Sequence, residues 1–237
     1  MIDFGEDFGP SGTVFVSDLH VGSSFSREEL FRSFLEALPG GTRVVLVGDA
    51  FDFWKHLPTD EWVWALKDVD SYYLVGNHDS EVIVGSAYTP RVCRSLGMTV
   101  GKVRFLVTHG DVFDDKFGDN GFLHRVLDWA VYRASLAIGS DLRTGLGFLT
   151  RYYYGRVTNY IEKVNSKLKA IGYGGLVYGH THCPEFEKRD GFWNVNLGCW
   201  YGSGPRALFV RNGGLVKYVS VEEGFRVPPE EDFVSLG

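Results

Sequence analysis

Five short runs of apolar, β-branched residues recur along the chain, and each ends in a cluster of polar side chains. The runs are TVFVSDLH at 13–20, RVVLVGDAFD at 43–52, YYLVGNHD at 72–79, VRFLVTHGD at 103–111 and GLVYGHTH at 175–182. Short continuous apolar runs are typical of strands that are buried on both faces. We therefore predict five buried strands, each of which delivers polar residues at its carboxyl end.

Helical patterns lie between these runs. Ser26 and Glu29 match a capping box, which predicts a helix that begins there, and a second short helix is predicted from Thr89 to Gly97. The apolar face of the first helix comprises Leu30, Phe34, Leu35 and Leu38. Strands that alternate with helices favour a largely parallel α/β sheet, in which the carboxyl ends of the strands meet at one edge.

The interval between the fourth and fifth polar clusters is longer than the others. The earlier intervals each match one βαβ unit of roughly 30 residues, whereas His109 and His180 are separated by about twice that length. Apolar residues recur there at helical spacing, as in Val157, Ile161, Val164, Leu168 and Ile171. We predict a single domain over residues 1–237, with a helical cap insertion at 114–172 that covers the polar clusters. Its aromatic residues could line a substrate pocket or form the cap's own small core.

The pattern changes after the last polar cluster. Segments 193–198, 207–210 and 215–221 are typical of further short strands, and Asn212-Gly213 predicts a hairpin turn between the last two. We expect antiparallel strands here, in a second sheet packed on the first.

Composition and charge argue against several classes of protein. The formal net charge of −6 argues against a general polyanion binder, because nucleic-acid-binding proteins usually present a basic surface. Three cysteines without a C-x-x-C pair indicate neither a disulfide framework nor a zinc knuckle, and they favour a reducing cytoplasm. The acidic start lacks the pattern of a signal peptide, and no apolar run is long enough to span a membrane. We expect a cytoplasmic protein without a transmembrane segment.

The polar clusters hold residue types that bind metals. Five of the seven histidines fall in them, and glycines precede Asp49, Asn77 and His180, where they allow close backbone approach. The candidate ligands are Asp18, His20, Asp49, Asn77, His109, His180 and His182. Mixed nitrogen and oxygen donors suit Mn, Fe, Zn or Co better than Ca or Mg. We predict two divalent metal ions, with Mn preferred, that catalyse hydrolysis of a phosphate ester or anhydride.

The motifs SDLH, GDAFDFW, GNHD, THGD and GHTH, in this order over residues 18–182, resemble the five blocks of the calcineurin-like metallophosphoesterase superfamily. The resemblance implies a four-layer αββα sandwich. It implies one metal held by Asp18, His20 and His182, a second by Asn77, His109 and His180, and a bridge at Asp49. It also implies that His78 acts on the leaving oxygen and that Asp79 orients the ring of His78.

Within that superfamily, GDAFDFW, the insert and the later NLGCW are most similar to the UDP-2,3-diacylglucosamine hydrolase group. Members of this group cut the pyrophosphate of a UDP-linked acylated sugar at a bacterial membrane surface, beneath a helical cap. The resemblance implies a phosphorylated small molecule or lipid-linked nucleotide as substrate, and peripheral contact with the inner membrane face. The lipid A enzymes of the group carry Arg where this chain has His78.

Two alternatives stay open at this point. One is a general phosphodiesterase or nuclease, which the acidic charge disfavours. The other is a metal-loaded interaction scaffold without turnover, which the complete ligand set and His78 disfavour. The sequence assigns no substrate-binding residue.

Overall fold

The computed structural model describes residues 1–23, 26–51, 69–79, 91–113, 164–200 and 204–236. One helix, α1 (Glu28–Ala37), and two short 3-10 turns, Asp111–Phe113 and Glu230–Asp232, have both ends within these ranges. The strands are β1 (Ile2–Asp3), β2 (Thr13–Val16), β3 (Arg43–Val47), β4 (Ser71–Leu74), β5 (Val92–Cys93), β6 (Ser95–Val100), β7 (Val103–Thr108), β8 (Gly175–Tyr178), β9 (Glu185–Arg189), β10 (Phe192–Asn196), β11 (Arg206–Arg211), β12 (Leu215–Ser220) and β13 (Val234–Ser235).

The strands form two mixed sheets. The six-stranded sheet has the order β1-β6-β7-β8-β10-β9, and the seven-stranded sheet has the order β13-β12-β11-β2-β3-β4-β5. In the seven-stranded sheet, β2 to β5 run parallel, and β11 continues the sheet antiparallel to β2. In the six-stranded sheet, β8 lies between two parallel neighbours, β7 and β10.

All five predicted motif strands are present, as β2, β3, β4, β7 and β8. The single parallel sheet that was expected to carry them is wrong, because β2, β3 and β4 lie in one sheet and β7 and β8 in the other. An apolar run determines that a strand is buried but leaves its pairing partners open. The predicted β11–β12 hairpin is confirmed, but it extends the motif-bearing sheet through β2 instead of forming a separate one.

Three hydrophobic cores arrange these elements in layers. Alternate residues of both sheets meet in the central core, among them Phe15, Val45, Phe105, Val177 and Leu208. On the outer face of the seven-stranded sheet, Phe31 and Phe34 of α1 pack against Val14 and Val16. On the outer face of the six-stranded sheet, helical residues 164–170 pack through Val164 and Leu168. The described elements therefore follow the helix–sheet–sheet–helix order that the resemblance implied.

Two local helix predictions need correction. Helix α1 forms, but Arg27 is its N-cap and no side chain caps it; the Ser26 hydroxyl donates instead to the Leu19 carbonyl oxygen at 2.9 Å. The predicted helix that ends at Gly97 is wrong, because residues 95–100 form β6, which pairs with β7. Leu96, Met98 and Val100 alternate into the central core, and this two-residue period outweighs the helix-start pattern.

Most of the predicted cap lies outside the described residues. Residues 114–163 are not among them, and residues 164–170 are helical, as the apolar spacing predicted. Those helical residues cover the outer face of the six-stranded sheet. The cap over 114–172 and the single-domain assignment thus stay predictions. None of the helices in the described ranges has the length and apolar character that crossing a membrane requires.

Candidate metal centre

Five of the seven predicted ligands have left-handed backbone conformations. Their φ angles are 54° at Asp18, 47° at His20, 51° at Asp49, 63° at His180 and 57° at His182. The one other non-glycine residue with positive φ in the described ranges is Asp190, which lies in a turn. A non-glycine residue in this conformation costs about 1–2 kcal/mol, and such strain clusters at functional sites. The strain thus coincides with the residues that the motifs singled out.

Three glycines allow close approach at the cluster, as predicted: Gly48, Gly76 and Gly179. A Cβ atom on Gly48 would lie 2.5 Å from Cγ of His109, and one on Gly76 would lie 2.8 Å from its Cδ2. A Cβ atom on Gly179 would overlap the Asp18 carboxylate. Side chains at these positions would displace candidate ligands, so the absence of a Cβ is what permits the close packing.

The candidate ligands converge where the motif strands end. Three groups have ligand atoms that all lie within 4.8 Å of one another: Asp18, His20 and His182; His20, Asp49 and His78; and Asp49, His109 and His180. The seventh predicted ligand, Asn77, places its Oδ1 3.2 Å from Nε2 of His109. The structure therefore brings all seven residues together, with His20 and Asp49 each shared between two groups, and it adds His78 to the cluster.

The carboxylate of Asp18 is fully buried and held from several sides. Its Oδ2 accepts hydrogen bonds from the Ser17 hydroxyl at 2.5 Å and the His180 backbone N–H at 2.9 Å, while Oδ1 lies 3.1 Å from Nε2 of His182. Burial opposes its ionisation, but His109 and His182 outweigh burial and hold the pKa of Asp18 well below its usual value. Asp18 is thus ionised, and its hydrogen bonds hold the carboxylate in one orientation.

Asp49 and His109 form the centre of the cluster. Oδ2 of Asp49 lies 3.2 Å from Nε2 of His109, and Oδ1 accepts the backbone N–H of His78 at 2.9 Å. Burial opposes ionisation of Asp49, but His109 and His78 outweigh it and lower the pKa of this carboxyl. Burial also disfavours the charged form of His109, yet Asp49 and Asp18 raise its pKa well above the ordinary value of 6.5.

The tautomer of His109 follows from its second ring nitrogen. Nδ1 lies 3.0 Å from the Val47 carbonyl oxygen, an acceptor that requires a proton on Nδ1. The lone pair of the neutral ring is then on Nε2, which faces Asn77 and Asp49. This arrangement, in which a backbone carbonyl orients the ring, is usual for metal-binding histidines.

Asp79 has partners other than the one predicted. Its Oδ2 accepts the backbone N–H groups of Asp49 and Gly76, both at 2.8 Å, and its Oδ1 accepts the Tyr73 hydroxyl at 2.6 Å. None of these three donors is the ring of His78, so orientation of that ring by Asp79 stays a prediction. Burial and the neighbouring Asp49 carboxylate raise the pKa of Asp79 to about 7.

Sequence reasoning did not single out Ser17, Tyr73 and Asn196, which support the cluster. Asn196 is fully buried; its amide donates to the Thr181 hydroxyl at 2.6 Å, and its Oδ1 accepts the Gly198 N–H at 2.8 Å, beside His180 and His182. A polar residue inside an apolar strand run was the pattern that could have revealed Ser17 and Asn196. Tyr73 gave no such indication, because tyrosine is common in buried strands.

The donor set fits divalent cations. Imidazole nitrogens, carboxylate oxygens and one amide oxygen are ligands that Mn, Fe, Zn and Co accept, and here they form one cluster that the glycines allow to pack closely. Two ionised carboxylates inside this cluster supply the negative charge that cations require. The chain therefore carries candidate His/Asp metal sites.

Comparisons with known proteins agree with the motifs found in the sequence. A family model described as the calcineurin-like phosphoesterase superfamily domain matches residues 13–210. Two UDP-2,3-diacylglucosamine hydrolases of Neisseria meningitidis, from different serogroups, are 26% and 25% identical to the chain, and each match covers 88% of this chain and 98% of the relative. Vacuolar Protein Sorting 29 from Cryptosporidium parvum has a similar fold, with a TM-score of 0.50, 16% identity, and coverage of 92% of this chain and 95% of that one. Since the family model spans the motif strands of both sheets, the chain belongs to the calcineurin-like phosphoesterase superfamily.

Proposed function

We propose that the chain is a metal-dependent phosphoesterase that hydrolyses a phosphodiester or pyrophosphate bond at a dinuclear site. The observation that carries this proposal is the overlap of three His/Asp groups: Asp49 belongs to one group with His109 and His180 and to one with His20, and His20 also belongs to the group of Asp18 and His182. A carboxylate shared in this way is suited to join two cations. The membership of the superfamily supports the same reaction class.

Each cation would have its own ligands. Asp18, His20 and His182 would hold one, Asn77, His109 and His180 the other, and Asp49 would be shared. When bound, the two cations would supply positive charge for the phosphoryl oxygens and lower the pKa of a water molecule. We propose Mn as the preferred ion, with Fe, Zn and Co as alternatives.

His78 is proposed to act on the leaving oxygen. Its backbone N–H is fixed to Oδ1 of Asp49 at 2.9 Å, and its half-buried ring lies 5.1 Å from the ring of His20, centroid to centroid. A protonated imidazole at the rim of the cluster can donate a proton as the bond to phosphorus breaks. Because His78 also falls in a group with His20 and Asp49, metal ligation is the competing role.

The proposed substrate class is a pyrophosphate that joins a nucleotide to an acylated sugar. Similarity to proteins named UDP-2,3-diacylglucosamine hydrolase supports this class, at 26% identity over nearly their full length. His78 in place of Arg favours a different member of the class from the lipid A precursor itself. We also propose a location in the cytoplasm, with peripheral contact at the inner membrane face, which fractionation of the native cells would test.

A substrate screen tests the proposal. Purified protein would be assayed with Mn, Fe, Zn or Co against bis-p-nitrophenyl phosphate, acylated and unacylated UDP-sugars, dinucleotides, and single- and double-stranded DNA. We expect metal-dependent hydrolysis that Asp49→Asn abolishes, with preference for the acylated UDP-sugar. Preference for DNA would favour a nuclease, which the net charge of −6 disfavours. Bound metal without turnover of any substrate would favour a scaffold.

A further inference from the structure

Crossed hydrogen bonds join the two loops that follow β3 and β4. The backbone N–H of Asp49, after β3, donates to Oδ2 of Asp79 at 2.8 Å. In the opposite direction, the backbone N–H of His78, after β4, donates to Oδ1 of Asp49 at 2.9 Å. The same Oδ2 of Asp79 also accepts the N–H of Gly76 at 2.8 Å, which closes the turn that carries Asn77.

The second oxygen of Asp79 is anchored in the core. It accepts the hydroxyl of Tyr73 at 2.6 Å, and Tyr73 is fully buried in β4, where its ring stacks on Phe51 with 6.1 Å between centroids. Both carboxylate oxygens are therefore bound by donors that cannot easily move: two backbone N–H groups and a phenol fixed by packing.

We infer that Asp79, anchored by Tyr73, is a positioning residue that holds the shared Asp49 in register with Asn77 and so completes the second metal site. The inference rests on the proposed dinuclear function. Asp79 binds no ion and no substrate in this account. It acts through the backbone of Asp49 and through the turn at Gly76, so its loss changes the distance between two ligands.

The effect should differ between the two sites. Removing the carboxylate frees the loop after β4, which carries Asn77, from the loop after β3. Loss of a residue that orients ligands usually weakens metal affinity by about 10–100-fold. The first site relies on Asp18, which Ser17 and the N–H of His180 hold instead. We therefore expect Asp79→Ala to weaken binding of the ion held by Asn77, His109 and His180. The affinity of the other site should change much less.

Three variants separate positioning from general stability. In Asp79→Asn the amide oxygen can accept both N–H groups while the amide nitrogen donates to the Tyr73 hydroxyl oxygen, so affinity should stay within about threefold of the parent. Tyr73→Phe keeps the buried ring and removes only the anchor, so it should weaken the same single site to a smaller degree. Thr13→Val is the matched control, because it removes a buried hydrogen bond to the Phe8 carbonyl oxygen, 2.8 Å long, at the opposite end of β2.

The experiment is a manganese titration of the metal-free, full-length parent and variants by calorimetry, with anomalous diffraction at limiting manganese to identify the retained site. The inference predicts one site of parental affinity and one weakened about 10–100-fold in Asp79→Ala, with Asp79→Asn and Thr13→Val both similar to the parent. Parental affinity at both sites in Asp79→Ala, or equal weakening of both, would overturn it. If Asp79→Ala does not fold, Tyr73→Phe decides: weakening confined to that one site supports the inference, and parental affinity at both sites, or equal weakening of both, overturns it. A parent that binds no manganese would overturn the proposed function together with this inference.

Discussion

The left-handed backbone at the candidate ligands predicts how glycine and alanine substitutions there differ in stability. We develop this prediction at His182. Its φ is 57°, and its side chain, which is 20% exposed and lies 3.1 Å from Asp18, is lost to the same extent when glycine or alanine replaces it. Glycine adopts this conformation without strain, whereas alanine does not. In the metal-free protein, His182→Gly should therefore be more stable than His182→Ala, the reverse of the order in a helix.

The size of this difference follows from two opposing contributions. Alanine in the left-handed region costs about 1–2 kcal/mol, while the greater freedom of glycine in the unfolded chain costs about 0.4–1 kcal/mol. The net advantage of glycine is about 0.5–1 kcal/mol, which corresponds to an increase of roughly 1–4 °C in melting temperature for a chain of this size.

Thermal unfolding in excess chelator would measure the difference. The matched control is Ser33, an exposed position in α1, where glycine should be less stable than alanine by about 1 kcal/mol. Opposite orders at the two positions would support backbone strain at His182. If the glycine variant were the less stable one at both positions, there would be no backbone strain at His182.

Three further predictions concern catalysis, the insert and pH. His78→Ala should lower turnover by about 10²–10⁴-fold, the usual contribution of a general acid, while elemental analysis finds unchanged metal content; loss of one ion would show that His78 is a ligand instead. Replacing residues 114–163 with a short loop should spare hydrolysis of a small chromogenic diester and remove discrimination between acylated and unacylated pyrophosphates; unchanged discrimination would make the segment structural only. Because the pKa of His109 is raised well above 6.5, its proton stabilises the metal-free fold below that pH and the stabilisation is lost as pH rises through the folded-state pKa. Metal-free protein should thus melt at a higher temperature at pH 6.5 than at about pH 9, whereas stabilisation by manganese should increase over that interval, since the ion displaces the proton.

The sequence was sufficient for the five motif strands and for the residues that meet at their ends. Runs such as VVLV and FLVT are too apolar to be exposed, and Asp or His follows each of them within two residues. Polar residues at the carboxyl ends of buried strands must leave the sheet at a crevice. The convergence of seven candidate ligands could therefore be predicted without knowledge of the strand order.

The arrangement of the sheets depended on information that local patterns lack. Nothing in the apolar run of β7 distinguishes pairing with β8 from pairing with β4, because both choices bury the same side chains. Gly97 similarly fits a helix end or a strand, and only the alternation of Leu96 and Met98 against β7 decides between them. The backbone hydrogen-bond donors to Asp79 could not be predicted from the sequence either, because the positions of these N–H groups are set only when the turns form.

The most direct test of the central claim is anomalous diffraction from crystals of the protein soaked in manganese. We expect two peaks about 3.5–4 Å apart, one beside Asp18, His20 and His182 and one beside Asn77, His109 and His180, with the Asp49 carboxylate between them. A single peak, no peak, or two ions that do not share Asp49 would contradict that claim.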